Sequence, residues 1–516
     1  ITADLGSLPS TLLFEYPKIT LLANALLKSH LEPLQVILAT KMASHEESIT
    51  TDAITTLSPT PIEISEDGIA IISVAGQYPG ADSVEEFWEM LRNGGDGITE
   101  VPSDRWDHQA IYSELKGKPG ATNCKWGGFL NNIKCFDPEF FGINPRDAAL
   151  MDPQERLLLQ TSWHLLERAG YTREFLSKHY DSRVGVFVGA MYQQYHSLDA
   201  DSESSVMVSL SSYASMANRI SSFYDLQGPS IAIDTMCSSG LMAIHQACQS
   251  LRQGECRLAI AGGVNLTIHP NKYLGLSRAG LLGSHRECRS FADGDGYLPA
   301  EGVGAVLLKP LSDALRDGDR ILAIIRGSAT NHGGHSGGYG VPNAHLQTRL
   351  ISENFVNCGV DPRTIGYVEA AANGSPLGDA IEFRALTEAF RLFTNDIEFC
   401  SIGSVKSNVG HPEAASGFAQ LTKVILQLEN QILVPSIRKT ALNPNILFKG
   451  SPFIPQAELS QWKRKEIDGI VTPLRATISA FGAGGTNVHL ILEEAPETLF
   501  NKDVDPIPEE SYEFIF

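Results

Sequence analysis

Residues 230–254 read SIAIDTMCSSGLMAIHQACQSLRQG, a pattern that predicts a buried strand followed by a helix. The apolar run ends at Asp234, and the helical pattern begins near Ser238. One face of the predicted helix carries Leu241, Ile244, His245, Cys248 and Leu251. Cys237 therefore lies at a strand-to-helix turn, which is the geometry of a nucleophile elbow.

The position of Cys237 suits a reactive thiol. Unpaired backbone N–H groups and the positive end of a helix lower a thiol pKa from about 8.5 toward 7 or below. The alternative is a buried structural cysteine, which is the commonest fate of a lone cysteine. Position alone leaves both interpretations open, whereas Cys248, on the apolar helix face, is predicted to belong to the core.

Strand–helix alternation continues on both sides of this stretch. Continuous apolar runs of strand type occur at 68–76, 184–190, 257–266, 302–311, 320–329, 400–406 and 476–482. Amphipathic helical patterns lie between many of them, as in DSVEEFWEMLRNG (82–94). The alternation predicts an α/β protein with mostly parallel sheets and one large body of about 430 residues.

Composition limits the kind of partner and compartment. The chain has 516 residues, 43% of them hydrophobic, and a formal net charge of −20. The length predicts two or more subdomains, and the charge argues against nucleic acid or an anionic membrane as the main partner. The sequence contains no run of ~20 apolar residues and no signal-peptide pattern. We therefore expect a cytoplasmic protein without a membrane partner.

The eight cysteines lie scattered along the chain without a CxxC pair. This spacing predicts reduced thiols and no zinc site.

The two ends of the chain differ from the body. Residues 1–30 contain an apolar stripe of helical spacing, and residues 31–66 include a Ser-, Thr- and Glu-rich stretch typical of a linker. Residues 496–516 are acidic and contain proline, which favours a second linker. The start at Ile1 rather than Met indicates a fragment of a longer chain.

Two weaker signals lie in the second half of the chain. TISAFGAGGTNVHLIL (477–492) predicts a strand, a glycine-rich turn and another strand, but it lacks the Lys-Ser/Thr of a P-loop. His411 follows SVKSNVG (404–410) on a predicted loop just before a helix. A lone histidine in such a place is more often structural than catalytic.

Taken together, four motifs occur in the order found in ketosynthases: DTMCSSG (234–240), GSPLGDAIE (374–382), KSNVGH (406–411) and FGAGGTN (481–487). Residues 67–495 resemble the ketosynthase domain of modular polyketide synthases. The sequence around Cys237 is most similar to bacterial synthases whose acyltransferases act in trans. Residues 1–30 resemble the last helices of an upstream carrier protein.

The resemblance implies a thiolase-like α/β fold, with two similar halves in a five-layered αβαβα body, a short helical N-terminal extension and a homodimer. The first half, about 67–315, would supply the nucleophile Cys237, and the second, about 316–495, the histidines. The backbone N–H groups of Cys237 and Phe481 would form the oxyanion hole, and Phe481 matches the family's gating aromatic. Lys406 would support the polar network of the site.

One catalytic position departs from the family. The family pattern VEAHGTGTxLGDPIE aligns with VEAAANGSPLGDAIE (368–382), so that Ala371 replaces the first catalytic histidine. The Cys-His-His triad thus becomes Cys237, Ala371 and His411. Asn373, Ser375 and Gly340 each stand where the family has a threonine, at positions that the resemblance assigns to the pantetheine channel.

The resemblance then implies a non-elongating ketosynthase. Such a domain accepts a phosphopantetheine-linked acyl chain from an upstream acyl carrier protein onto Cys237 and passes it to a downstream carrier protein without decarboxylative condensation. It needs no resident cofactor and no metal. Two alternatives stay open: a condensing ketosynthase with a rearranged site that uses Asn373 or a water, and a non-catalytic dimeric scaffold that docks carrier proteins.

Overall fold

The computed structural model describes residues 68–195, 212–336, 338–436 and 441–496. The predicted helical extension (1–30) and linker (31–66) lie outside the described residues, as does all but Pro496 of the predicted C-terminal linker (496–516).

The described residues contain seventeen strands, of which the long ones are mostly apolar. In chain order they are β1 (Ile69–Gln77), β2 (Ile98–Glu100), β3 (Trp126–Gly128), β4 (Val184–Ala190), β5 (Ser230–Ile233), β6 (Leu258–Asn265), β7 (Gly302–Pro310), β8 (Ala323–His332), β9 (Ile365–Glu369), β10 (Cys400–Gly403), β11 (Ile432–Leu433), β12 (Phe453–Pro455), β13 (Ser460–Gln461), β14 (Glu466–Ile467), β15 (Ile470–Val471), β16 (Arg475–Phe481) and β17 (Thr486–Glu494).

Helices connect most of these strands. They are α1 (Val84–Arg92), α2 (Pro145–Leu150), α3 (Pro153–Ala169), α4 (Arg173–Tyr180), α5 (Tyr213–Tyr224), α6 (Ser239–Arg252), α7 (Asn271–Arg278), α8 (Leu311–Asp317), α9 (Ala344–Asn357), α10 (Pro376–Arg391), α11 (Lys406–Val409) and α12 (Ser416–Asn430). Short 3₁₀ turns occur at His108–Ala110, Pro362–Thr364 and Glu413–Ala415.

Eleven strands form one sheet whose two halves repeat the same pattern. In the first half the order is β5-β4-β6-β7-β1, and in the second β10-β9-β16-β17-β8, with β12 added at the edge. Each half has two parallel pairs followed by two antiparallel pairs. The halves join where Ile69–Ile71 of β1 pairs antiparallel with β8. The expected two similar halves are therefore confirmed.

Helices cover the two halves in layers. α6 and α12 lie between the halves, where Leu241 and Phe418 share one buried cluster with strands of both. On the outer side of the first half, α3 packs against β1, β6 and β7, and α5 packs against β4 and β5. On the outer side of the second half, α9 and α10 pack in a third cluster with β9. The two halves of the sheet thus form two layers with helices between them and on both outer sides, which is the thiolase-like α/β arrangement.

Most strand predictions are confirmed, with two corrections. The prediction of mostly parallel sheets is wrong, because β7 and β17 run antiparallel to both neighbours; β17 does so since the short turn 482–485 returns the chain directly from β16. The strand before Cys237 is not buried as predicted. β5 lies at an edge of the sheet and ends at Ile233, and Ile231 is 45% exposed.

All eight cysteines are free thiols, and Cys248 is fully buried in the central cluster, as predicted. Within the described ranges, no helix combines the length and the apolar character needed to cross a bilayer.

Candidate active site

Cys237 lies between β5 and α6, at the elbow that the sequence predicts. The preceding residue, Met236, has a φ of +59°, a left-handed backbone conformation that costs a non-glycine residue about 1–3 kcal/mol. Asp234 Oδ1 accepts a hydrogen bond from the Met236 N–H at 2.9 Å. The turn is therefore strained, as at many functional sites, and the Asp234 side chain within it stabilises this conformation.

Hydroxyl groups from both halves fix this elbow. Ser239 Oγ donates to the Met236 carbonyl at 2.5 Å and accepts from the Thr235 N–H at 2.9 Å. From α12, Ser416 Oγ donates to the carbonyl oxygen of Cys237 at 3.2 Å. The position of Cys237 thus depends on the first and the second half together.

Burial raises the pKa of the Cys237 thiol to about 12, and the nearby Glu413 carboxylate acts in the same direction. The Lys406 and Lys272 cations and the Ala483 N–H lower the pKa, but by less. The prediction of a lowered thiol pKa is wrong for the free protein, because loss of water outweighs the favourable groups. The thiol is protonated at neutral pH and must lose its proton during attack.

His411 reaches the site from the second half, and its backbone is tied to the first. Its N–H donates to the Leu298 carbonyl at 2.8 Å, and its carbonyl accepts from the Ala300 N–H at 2.9 Å. In the ring, Nδ1 accepts from the Glu413 N–H at 3.3 Å. A neutral ring bonded in this way carries its proton on Nε2.

The ring of His411 stays neutral at physiological pH. Burial and the Lys406 and Lys272 cations hold the pKa of His411 well below its usual range. His411 is therefore a donor through Nε2–H and not a fixed cation.

Ala371, which the resemblance aligns with the first catalytic histidine, lies just after β9. Its N–H donates to Glu382 Oε1 at 2.7 Å, and its carbonyl accepts from Lys406 Nζ at 2.6 Å. Both partners are buried. The backbone of residue 371 is thus held by two ionisable side chains, although its own side chain is only a methyl group.

The neighbours of Ala371 are held equally well. The Ala370 carbonyl accepts from Gln420 Nε2 at 3.0 Å. The Ala372 carbonyl accepts from Ser404 Oγ at 2.7 Å and from Ser290 Oγ at 2.8 Å. The loop keeps a fixed path despite its three consecutive alanines.

Asn373 and Ser375 are used in the turn that starts α10. Asn373 Oδ1 accepts from the Ser375 N–H at 3.1 Å, and Ser375 Oγ caps the helix by accepting from the Gly378 N–H at 3.3 Å. The Asn373 N–H donates to Asp379 Oδ1 at 3.0 Å. These contacts fix the Asn373 amide oxygen within the turn.

Phe481 is the last residue of β16, and the turn 482–485 after it lies directly on the elbow. A Cβ atom at Gly482 would come within 2.3 Å of the Thr235 carbonyl oxygen, so only glycine fits there. The turn amide that acts on the thiol is that of Ala483. The Phe481 N–H as an oxyanion-hole donor stays a prediction.

Comparison with known proteins agrees with this geometry. Residues 66–314 match the model of the beta-ketoacyl synthase N-terminal domain, and residues 322–440 match that of the C-terminal domain. The chain belongs to the ketosynthase family. It is a ketosynthase domain of the kind found in modular polyketide synthases.

Named relatives place the domain more closely. The polyketide synthase PksL of Bacillus subtilis is 49% identical over 95% of this chain, and ThaG of Burkholderia thailandensis is 48% identical over 84%. This chain spans only 12% and 8% of those two proteins.

Solved structures share the fold. The oxazolomycin ketosynthase domain OzmH KS7 of Streptomyces albus has a TM-score of 0.80 and 49% identity, covering 83% of this chain and 76% of that one. The ketosynthase from module 6 of the Bacillus subtilis bacillaene synthase has a TM-score of 0.77 and 38% identity, covering 83% and 72%.

Gly340 of this ketosynthase lies beside the turn 482–485. It has a φ of +84°, and a Cβ atom there would lie 3.0 Å from the Ala483 carbonyl oxygen. A threonine would be strained in this conformation, so the glycine sets the path of this exposed segment. Contact of Gly340 with a pantetheine arm stays a prediction.

Sequence reasoning missed four buried ionisable groups around the site. Burial raises the pKa of Asp379 to about 6 and that of Glu382 to about 8, and both carboxyl groups bind loop amides. Lys272 and Glu413 form a buried ion pair near the thiol. The family motif GDAIE (378–382) at the start of α10 contains both acids and could have indicated them, whereas no local pattern indicates Lys272.

The arrangement can bind and exchange a thioester. It offers a partly buried thiol at a helix start, one imidazole N–H and a glycine-rich turn. Across the described part of the chain, no group of three or more His, Cys, Asp or Glu side chains is placed to hold a metal ion.

Proposed function

We propose that this ketosynthase domain is non-elongating. It accepts an acyl chain from an upstream acyl carrier protein onto Cys237 and transfers it to a downstream carrier protein without forming a carbon–carbon bond. The observation that carries the proposal is Ala371, a methyl group on a backbone that Glu382 and Lys406 hold in place.

Condensation depends on the missing side chain. Loss of carbon dioxide from a malonyl thioester leaves an enolate whose charge lies on the thioester oxygen. Two imidazole N–H groups would stabilise that oxygen, and only His411 supplies one here. Loss of one preorganised donor costs on the order of 10²–10³ in rate. The rearranged condensing site is less well supported, because Asn373 Oδ1 is bonded to Ser375.

Thioester exchange makes smaller demands. The Cys237 sulfur attacks the carbonyl carbon of the acyl thioester, a new C–S bond forms, and the bond to the pantetheine sulfur breaks. The thiol proton ends on the departing pantetheine sulfur, and His411 assists as a hydrogen-bond donor through Nε2–H, because its Nδ1 is bound to the Glu413 N–H. Backbone amides of Cys237 and Phe481 would stabilise the oxyanion, and neither depends on residue 371.

The partners follow from the same reaction. Two carrier proteins deliver and remove the phosphopantetheine-linked chain, and the protein itself needs no resident cofactor. The similarity to PksL and ThaG supports a place in a bacterial polyketide synthase, which we assign to the type whose acyltransferases act in trans. We further propose that the domain works as a homodimer in the cytoplasm.

Acyl transfer between two carriers tests the proposal. An acyl-carrier donor is mixed with the protein, and intact mass spectrometry follows acylation of Cys237 and its loss to a second carrier. We expect loading and unloading in the unaltered protein and neither in Cys237→Ala. A protein that binds carriers but never becomes acylated would instead be the docking scaffold.

A further inference from the structure

A buried ion pair beside the site has no part in the triad. Lys272 Nζ on α7 lies 2.5 Å from Glu413 Oε2, and both side chains are 1% exposed. Asn265 Oδ1 accepts from Lys272 Nζ at 3.0 Å, and the Tyr192 ring lies 5.3 Å from the same nitrogen. A buried pair of this kind is costly to desolvate and gives weak stabilisation, so its retention calls for another reason.

The backbone of Glu413 supports a functional reason. Glu413 has a φ of +43°, which is unfavourable for a residue other than glycine. It lies two residues after His411, and its N–H is the one that binds His411 Nδ1. The Tyr297 hydroxyl donates to Glu413 Oε1 at 3.3 Å, and the Tyr297 ring packs edge-on against the His411 ring at 5.0 Å. Glu413 thus connects Lys272 and Tyr297 through its carboxylate and His411 through its backbone N–H.

This carboxylate and this ammonium also act on Cys237, with opposite signs. The ionisable groups that interact with the thiol are Glu413, Lys272, Lys406, Tyr192 and Tyr297. His411 is linked to this set through the Glu413 N–H and the Tyr297 ring. Lys406 also interacts with the Glu382 carboxyl group and donates to the Ala371 carbonyl. Lys272 and Glu413 therefore form the ion pair whose opposite charges balance each other at the thiol.

We propose that Lys272 and Glu413 are positioning residues: their buried ion pair sets the electrostatic balance at Cys237 and fixes the ring of His411. The proposal rests on Cys237 being the nucleophile. Loss of the Glu413 charge leaves the Lys272 cation to stabilise the thiolate. Loss of the Lys272 charge leaves the Glu413 anion to oppose it. A merely structural pair would show no such opposition of sign.

Alkylation of Cys237 by iodoacetamide tests this inference without any acyl substrate. The rate is measured by peptide-resolved mass spectrometry at pH 8, where it is proportional to the small thiolate fraction. A thiol pKa change of one unit alters that fraction about tenfold. We expect Glu413→Gln to react about tenfold faster and Lys272→Met about tenfold slower. The double variant should return to within about threefold of the unaltered protein.

Three further variants separate charge from stability. Lys309→Met removes another buried lysine, paired with Asp317 and Asp319 at the end of β7, and should lower thermal stability without altering alkylation of Cys237. Lys272→Arg should keep the unaltered rate. Tyr297→Phe removes a donor from Glu413 without burying a new charge and should slow alkylation about threefold.

The results distinguish this inference from the proposed function. Changes of the same sign in Glu413→Gln and Lys272→Met, or no change beyond twofold in either, would overturn the inference. If these two variants do not fold, an unaltered rate in Tyr297→Phe would overturn it. Failure of Cys237 to accept an acyl chain in the carrier experiment would contradict the proposed transfer function but would not affect the interpretation of the alkylation rates.

Discussion

Residue 371 shows how one side chain can change a reaction while its surroundings stay in place. The Ala371 amide and carbonyl keep the Glu382 and Lys406 contacts that would hold a catalytic residue there. The donor alone is missing. We therefore attribute the lost chemistry to the side chain of residue 371 and not to a collapse of the loop.

A second residue-scale consequence concerns His489 on β17, which is fully buried. Its Nδ1 accepts from Asn354 Nδ2 at 2.9 Å, and burial lowers its pKa to about 3. The unfolded chain has a histidine pKa near 6.5, so between about pH 6.5 and 3 it binds one more proton than the folded protein. Stability therefore falls as pH falls through this window.

The test is urea unfolding at pH 7 and pH 5. The variant is His489→Gln, whose amide oxygen can still accept the hydrogen bond from Asn354. Below pH 6.5 the unaltered protein should lose about 1.4 kcal/mol of unfolding free energy per pH unit through His489, and the variant should lack this loss. The difference in unfolding free energy between the two proteins should change by about 2 kcal/mol between the two pH values. An unchanged difference would contradict the assignment.

At the scale of elements, glycines set how closely α6 approaches α12. A Cβ atom at Gly240 would lie 2.6 Å from the Ala414 carbonyl oxygen and 3.2 Å from the Phe418 ring. Close packing at this point therefore favours glycine at residue 240. Backbone cannot give way as a flexible side chain can.

We expect Gly240→Ser to lower the unfolding free energy by about 1–3 kcal/mol, because it overpacks the space between the halves. Gly275 on α7 is the matched control, since nothing lies within 4 Å of the Cβ position there. Gly275→Ala should raise stability by about 0.5–1 kcal/mol. Equal effects of the two substitutions in thermal unfolding would argue against close contact at Gly240.

Local pattern was enough to predict the elbow, because a strand, a turn and a helix follow directly in residues 230–252. It could not show that β5 is an edge strand or that β7 runs antiparallel, since both depend on neighbours distant in sequence. The thiol pKa was mispredicted for the same reason. Burial of Cys237 and the Glu413 charge come from the folded second half.

At the scale of the whole molecule, the large sheet ends in two edge strands, β5 and β12. In the described residues β5 pairs with β4 alone, and Ile231 on it is 45% exposed. An exposed apolar edge strand is a template for pairing with another chain. We assign the expected homodimer to this edge, where β5 of two copies would extend the sheet.

Ile231→Lys should convert the dimer to a monomer, because two charges would meet across the new strand pair. Ile454→Lys is the matched control, since Ile454 lies on the opposite edge strand β12 and is also 45% exposed. Light scattering of the purified proteins gives the masses. A dimeric Ile231→Lys protein, or a monomeric Ile454→Lys protein, would place the interface elsewhere.

The central claim is that the imidazole missing at residue 371 prevents condensation, and carbon–carbon bond formation measures it most directly. Acyl-loaded protein is given isotope-labelled malonyl-carrier protein, and mass spectrometry quantifies the elongated β-keto product for the unaltered chain, Ala371→His and the donor-free control Ala371→Leu. We expect Ala371→His to elongate on the order of 10²-fold faster than the other two. Elongation by the unaltered protein at the rate of Ala371→His would contradict the account.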